Sequence, residues 1–269
     1  MDLGLEDKAV VVTGGSSGIG LETARLFAAE GAQVLICARR EEVLAQAASD
    51  IAESTGGEVR TLSVDVTDRG DIDRLAAVVG DDLGRVDVLV NNAGTGTYKP
   101  FLDVTDDELV YGMAINFFAQ FRITQRLVPM MIRNGGGVVI NVAGETGIRV
   151  TAPPFRSSCT GPAKAAEIRF SKVLASELGE QNIRVNCVVP GLVNIKERFA
   201  KWEREMAKEE LDSEAAAMTR REWGRFIARP NHEWGTPEEL ANLIVFAASD
   251  RASFVNGAVL VADGGEDKS

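Results

Sequence analysis

The sequence predicts an α/β fold: a doubly wound parallel sheet of seven strands with helices on both faces, in a single domain spanning residues 1–269. Three observations predict it. Short apolar runs alternate with amphipathic runs almost to the end of the chain, as in a parallel sheet covered on both sides. A turn with almost no side chains, Thr13-Gly-Gly-Ser-Ser-Gly-Ile-Gly20, joins the first apolar run to the first amphipathic one. Aromatic residues make up only 6 % of the chain while aliphatic residues dominate, which suits layers of sheet and helix.

In chain order, Ala9–Val12 reads as the first strand. Ile19, Leu26 and Phe27, spaced i, i+7 and i+8, place one apolar face on a helix beginning at Ile19, which Gly31 can stop. Gln33–Ala38 (QVLICA) reads as the second strand, Val59–Val64 as the third and Val86–Asn91 as the fourth. Val138–Val142, Ile183–Val189 and Ala258–Val261 complete the sheet. Helices are expected over Glu41–Ser54, Arg69–Gly80, Asp106–Arg133, Ala163–Gly179 and Pro237–Ala248, with Gly112 or Pro129 as the point where the long one is interrupted. No repeat and no linker divides the chain. The segment 195–234 breaks the alternation: it is charged, helix-prone and strandless, and holds Trp202, Trp223, Trp234 and the only histidine, His232. Two readings stay open for it, a helical lid over a site and an oligomer-contact helix pair.

The bulk properties exclude several classes. A net charge of −11 argues against a nucleic-acid partner. No run approaches the ~18 apolar residues of a membrane span. The opening MDLGLEDK has acids and no apolar signal core, so a cytoplasmic location is expected. Cys37, Cys159 and Cys187 are odd in number and lack metal-ligand spacing, and with one histidine no metal site is expected.

The glycine turn is the first candidate site. Gly14, Ser16, Ser17, Gly18, Ile19 and Gly20 lie where backbone N–H groups can approach a diphosphate and a helix N-terminus adds partial positive charge. Twenty residues past Gly18, where a ribose-binding acid would favour a free 2′-hydroxyl, stands Ala38, followed by Arg39 and Arg40. Two guanidiniums suit a 2′-phosphate, so the expected cofactor is NADP(H). The competing reading is a pair of solvated arginines opening a helix beside Glu41 and Glu42.

Thr13-Gly-x-x-x-Gly-x-Gly20, Asp65-Val66, Asn91-Asn92-Ala93-Gly94, Asn116, Lys164, Pro190-Gly191 and Asp263-Gly264-Gly265 occur in the order seen in short-chain dehydrogenases/reductases. The chain resembles that family from Leu5 to Gly265. The resemblance implies a Rossmann-type dinucleotide site at the carboxyl ends of the strands. Asp65 would accept from the adenine amino group with the Val66 backbone beside it; Asn92, Ala93 and Gly94 would pass the cofactor ribose. Lys164 would hold the ribose hydroxyls, Asn116 would carry a water relay to it, and Pro190, Gly191 and Val193 would hold the nicotinamide carboxamide. It also implies a small-molecule substrate and a homodimer or homotetramer built on the long helix after the fourth strand and on Ala163–Gly179.

The chemistry departs from the family pattern. The family's tyrosine, four residues before the lysine, is replaced by Thr160, and its upstream serine falls near Ala143-Gly144. Tyr98 and Tyr111 are the chain's two tyrosines, and neither precedes a lysine by four. An aliphatic alcohol donates a hydrogen bond but is a poor general acid. The tail from Gly235 to Glu266 resembles the 2,4-dienoyl-CoA reductase branch, which also lacks that tyrosine, takes hydride at a conjugated carbon and draws its acid from elsewhere. Tyr98 is then the best-placed candidate acid, an ordinary half-buried tyrosine the competing reading. Arg220, Arg221, Arg225 and Arg229 face either CoA phosphates or solvent.

The expected function is an NADP(H)-dependent oxidoreductase acting on a small carbonyl, enone or enoyl-thioester with a non-standard proton donor. The alternative is a cofactor-binding protein of the same fold with little redox activity, a sensor or partner subunit. Elimination or isomerisation, with Lys164 or Glu145 as base, is a third reading.

Overall fold

The computed structural model describes residues 2–150, 157–196 and 234–266. Each apolar run forms a strand: β1 (Ala9–Thr13), β2 (Gln33–Ala38), β3 (Val59–Ser63), β4 (Val88–Asn91), β5 (Gly137–Val142), β6 (Ile183–Pro190) and β7 (Val259–Ala262). All pair in parallel in one seven-stranded sheet, ordered β3-β2-β1-β4-β5-β6-β7. The helices are α1 (Gly18–Ala29), α2 (Glu41–Thr55), α3 (Arg69–Asp82), α4 (Asp106–Met113), α5 (Ala119–Arg133), α6 (Thr160–Glu177) and α7 (Pro237–Ala248).

The central strands are apolar throughout because both of their faces are covered. Along β1, Val10 and Val12 pack with Phe27 of α1, Leu44 and Ile51 of α2 and Ile244 of α7. Val11, pointing the other way, joins Ile72 and Leu75 of α3 and Ile123, Leu127 and Met131 of α5. Each large aliphatic or aromatic side chain so buried contributes about 1.5–3 kcal/mol. The chain runs outward from β1 to β3 and then returns to β4 on the other side of β1. The connections therefore diverge at the carboxyl ends of β1 and β4, which opens a crevice where doubly wound sheets bind ligands.

Several boundaries differ from expectation by a few residues, and three differences have a clear physical reason. β4 begins at Val88 rather than Val86, because the Asp87 carboxylate takes the Ala9 N–H (2.8 Å) ahead of the ladder. The last sequence-predicted helix to precede β6 begins at Thr160 rather than Ala163. Pro162 falls in its first turn, where no intrahelical N–H is required. The long helix is broken neither at Gly112 nor at Pro129: a π-helical turn, Ala114–Phe118, separates α4 from α5, and Pro129 sits inside α5. Residues 197–233 lie outside the described ones, and with them the expected lid, Trp202, Trp223, His232 and the arginines from Arg220 to Arg229.

Candidate active site

The crevice is built on Thr13, the last residue of β1. Its buried hydroxyl accepts from the Asn92 and Ala93 N–H groups (both 3.0 Å) and so ties the ends of β1 and β4 together. Asn92 answers by donating its side-chain amide to the Thr13 and Gly14 carbonyls (3.1 and 3.2 Å). Gly20 packs into this corner: a Cβ there would collide with the Gly14 carbonyl oxygen and with Asn92 Nδ2. The turn is thus a backbone cradle that only glycine allows, with Ser17 at the N-cap of α1 making no side-chain cap bond. Ser16, Gly18 and Ile19 complete it, with Ile195 beyond β6 reaching back over Gly18. This cradle fits a dinucleotide diphosphate.

At the β2 end, Arg39 and Arg40 are exposed, and Arg40 opens α2. Arg39 Nη1 lies 3.5 Å from the Tyr111 hydroxyl of α4, and its carbonyl accepts from Ser63 Oγ (3.2 Å). Asp65 follows β3, its Oδ1 occupied by the Thr67 N–H and hydroxyl (2.9 and 2.7 Å), with Val66 buried beside it. These residues line up along the carboxyl ends of β2 and β3, where an adenosine would lie.

At the other end, Gly94 sits between the two family-implied polar residues. A Cβ on Gly94 would stand 2.8 Å from Asn116 Oδ1 and 3.0 Å from Lys164 Nζ. Asn116 is buried in the π-helical turn. Its Nδ2 donates to the Gly112 and Thr95 carbonyls (2.9 and 3.0 Å), and its Oδ1 accepts the Thr95 N–H (3.1 Å). The side-chain bond to Gly112 stands where a backbone bond of an unbroken helix would, and this accounts for the π turn. Both amide donors are thus used on backbone, leaving one acceptor position on Oδ1 towards Gly94 and Lys164. Lys164, only 9 % exposed, donates to the Val142 carbonyl (3.1 Å).

Thr160 lies one helical turn before Lys164, buried, with its methyl against Gly112. Its hydroxyl is hydrogen-bonded to Ser157 Oγ and accepts the Thr97 N–H (3.3 Å), while Ser157 Oγ donates to the Thr97 carbonyl (2.9 Å). The 95–98 loop is therefore docked on the start of α6. Tyr98 is half-buried on that loop and folds back so that its hydroxyl stands over Gly96. Gly144 faces the Lys164 stem, a Cβ there lying 3.9 Å from Lys164 Cγ. Glu145 next to it is buried and ion-paired with Arg149, which also reaches Glu266 (2.6 Å). Burial first, then the Glu266 charge, push the Glu145 carboxyl up to about 7. At the end of β6, Gly191 N donates to the Ala262 carbonyl (3.1 Å) after Pro190, and buried Val193 bridges to Gly235.

Three features escaped the sequence reading: Ser157 beside Thr160, Tyr111 beside Arg39, and Glu167 beneath Lys164. Glu167 is fully buried and its Oε2 lies 3.0 Å from Lys164 Nζ. A trace of it was in the sequence. Lys164, Glu167 and Ser171 fall at i, i+3 and i+7, a polar stripe on one helical face that also carries Ala163 and Ala175. The three cysteines are free and buried, and burial pushes the Cys37 and Cys187 thiols up to about 12. Among the described residues no group of His, Cys, Asp or Glu could hold a metal ion, and no helix is long and apolar enough to cross a membrane.

Known proteins are similar to this chain along most or all of its length. Residues 14–266 match a family model described as enoyl-(acyl carrier protein) reductase. The 3-oxoacyl-(acyl-carrier-protein) reductase FabG of Chlamydia muridarum is 33 % identical over 261 residues, covering 97 % of this chain and 98 % of that one. The crystal structure of L-sorbose reductase from Gluconobacter frateurii, complexed with NADPH and L-sorbose, superposes with a TM-score of 0.90 at 34 % identity, covering all of both chains. A 7α-hydroxysteroid dehydrogenase complexed with NADH and 7-oxo glycochenodeoxycholic acid superposes with a TM-score of 0.83 at 29 % identity, over 98 % of this chain and 96 % of that one.

Proposed function

The chain belongs to the short-chain dehydrogenase/reductase family, and from that premise we propose that it is an NADP(H)-dependent oxidoreductase acting on a small carbonyl, enone or enoyl-thioester substrate. The observation that carries the proposal is Gly94 held between Asn116 and Lys164 at the head of a diphosphate cradle. Bound there, the nicotinamide would supply hydride. The relatives' cofactors differ, NADPH in one and NADH in another, so the preference is argued from this chain's own residues. Ala38 leaves room beside the ribose, and exposed Arg39 is steadied by Tyr111. A guanidinium so placed recognises a 2′-phosphate.

Each remaining residue has a task in this reading. The backbone of Gly14 to Gly20 and the N-terminus of α1 bind the diphosphate, and Asp65 and Val66 flank the adenine. Asn92, Ala93, Gly94 and Lys164 hold the ribose, and Pro190, Gly191 and Val193 hold the carboxamide. Asn116 sets the 94–97 loop. Thr160 and Ser157 hold the Thr97 backbone, and Tyr98, next along that loop, is the proton donor. We assign the exposed aromatic face of α5 and α6 to self-association as a dimer or tetramer, and the reducing cytoplasm as the compartment, in keeping with three buried free thiols.

One observation favours a second reading. No phenol stands one turn before Lys164, and the Thr160 hydroxyl is already engaged by Ser157 and Thr97. A cofactor-binding protein with little redox activity, a sensor or partner subunit, needs no acid there. NADPH consumption with a panel of ketones, enones and enoyl thioesters separates the two. Turnover with any of them supports the enzyme; NADPH binding without turnover supports the sensor.

A further inference from the structure

Beneath Lys164 lies a polar cluster with no part in the roles above. Glu167 of α6 is fully buried, with Oε2 3.0 Å from Lys164 Nζ, and Gln120 of α5 donates to its Oε1. The cluster continues inward. The Glu167 carbonyl accepts from Ser171 Oγ (2.8 Å), Asn141 Nδ2 donates to Ser171 Oγ (2.8 Å), and Asn91 Nδ2 donates to Asn141 Oδ1 and Thr124 Oγ1 (both 2.9 Å). Strands β4 and β5 and helices α5 and α6 are thereby keyed together below the crevice.

A buried carboxylate is costly unless something requires it, and a hydrophobic side chain would pack more cheaply at this position. What Glu167 touches is the terminal nitrogen of Lys164, which faces Gly94 at the crevice. We propose that Glu167 is a positioning residue for Lys164: it holds the terminal nitrogen on the Val142 carbonyl, facing Gly94. The proposal rests on the reading of Lys164 as the residue that holds the cofactor ribose. Burial pushes the Glu167 carboxyl up to about 8, with the Lys164 charge opposing. The charged or titratable groups that face it among the described residues are Lys164 on its own helix and the Cys187 thiol on β6, which Glu167 helps to raise to about 12. Gln120, Asn91, Asn141 and Ser171 carry no charge, so the charge state of the pair is set within the pair.

The test is the NMR cross-peaks between the Lys164 terminal methylene and Gly94 in the full isotope-labelled chain without added cofactor, assigned with K164R and read at about pH 9, above the raised Glu167 carboxyl. Glu167→Gln keeps the shape and the Gln120 contact and removes the ion pair. Its Lys164–Gly94 cross-peaks are expected to be lost. Glu167→Asp, with the carboxylate withdrawn by one methylene, is expected between the two. Unchanged cross-peaks in folded E167Q overturn the proposal. Should E167Q not fold, E167D decides: weakened cross-peaks support it and native ones overturn it. A second readout is calorimetric NADPH affinity at about pH 9, expected to fall about tenfold in E167Q. In a K164M background E167Q is expected to change nothing; an equal loss there makes Glu167 a packing residue and overturns the proposal. A native chain that binds no NADPH strikes down the cofactor reading alone, because the Lys164 cross-peaks are read without cofactor.

Discussion

Arg39 is exposed just past the end of β2, with the Tyr111 hydroxyl 3.5 Å away. Arg39→Ala should weaken NADPH binding by about 1.5–3 kcal/mol, the range for a hydrogen bond to a charged group, and leave NADH nearly unchanged. Calorimetry with both cofactors reads this directly, and a uniform loss would show that Arg39 supports the fold rather than the phosphate. Proton delivery is the second matter at this scale. Thr160→Ala should lower turnover by well under the ~100-fold expected for loss of a general acid, while Tyr98→Phe should lose at least that much. Steady-state kinetics on the first substrate found decides between them; the reverse ranking would place Thr160 in the chemistry and remove Tyr98 from it. The glycine turn and Arg39 were readable as candidates from their spacing to a strand, and Asn116 and Lys164 only through the family resemblance. Ser157 and Glu167 were not, because each acts through a neighbour that only folding supplies: the Thr97 backbone for one, and Gln120 of another helix for the other.

The α4–π turn–α5 element sets the shape of the crevice. Asn116 satisfies both the Gly112 carbonyl and the two backbone groups of Thr95, so Asn116→Ala leaves them without that partner. A loss of about 1–3 kcal/mol in urea unfolding is expected, with weaker NADPH binding because the 94–97 loop is no longer held. Gly94→Ala is the sharper probe. Its methyl would press on Asn116 Oδ1 and Lys164 Nζ, so cofactor affinity should fall while stability changes less. A native affinity in Gly94→Ala would place the cofactor elsewhere. Most of the strands were readable as largely apolar runs, the edge strand β3 (VRTLS) being the exception, and α7 was expected over the residues it occupies. The π turn was not readable. Helical periodicity runs on through Ala114–Phe118, and the break comes from the bond of an asparagine side chain to a carbonyl one turn back.

Across the whole molecule, buried carboxyls dictate how stability follows pH. The Glu145 carboxyl is raised from 4.5 to about 7 and the Glu167 carboxyl to about 8. The native state then holds protons that the unfolded chain has already released, so stability is full below the unfolded value and falls as pH rises through the folded ones. The groups around Glu145 are Arg149, Glu266 and Asp263. The melting temperature should therefore drop between about pH 5 and about pH 8, and Glu145→Gln should flatten the drop; a rise over that interval would mean that both carboxyls are ionised throughout. The proposed self-association belongs to this scale too. Phe121 of α5, 42 % exposed, stacks on Phe170 of α6 with ring centroids 5.2 Å apart, beside the 38 % exposed Phe118. Phe121→Arg should reduce the assembled species in light scattering, whereas an unchanged mass would move the interface elsewhere. The decisive measurement is calorimetric titration of the native chain with NADPH and with NADH. NADPH should bind at least about tenfold more tightly, about 1.4 kcal/mol; equal affinities, a preference for NADH, or no binding of either would contradict an NADP(H) site built on Gly14–Gly20, Arg39 and Lys164.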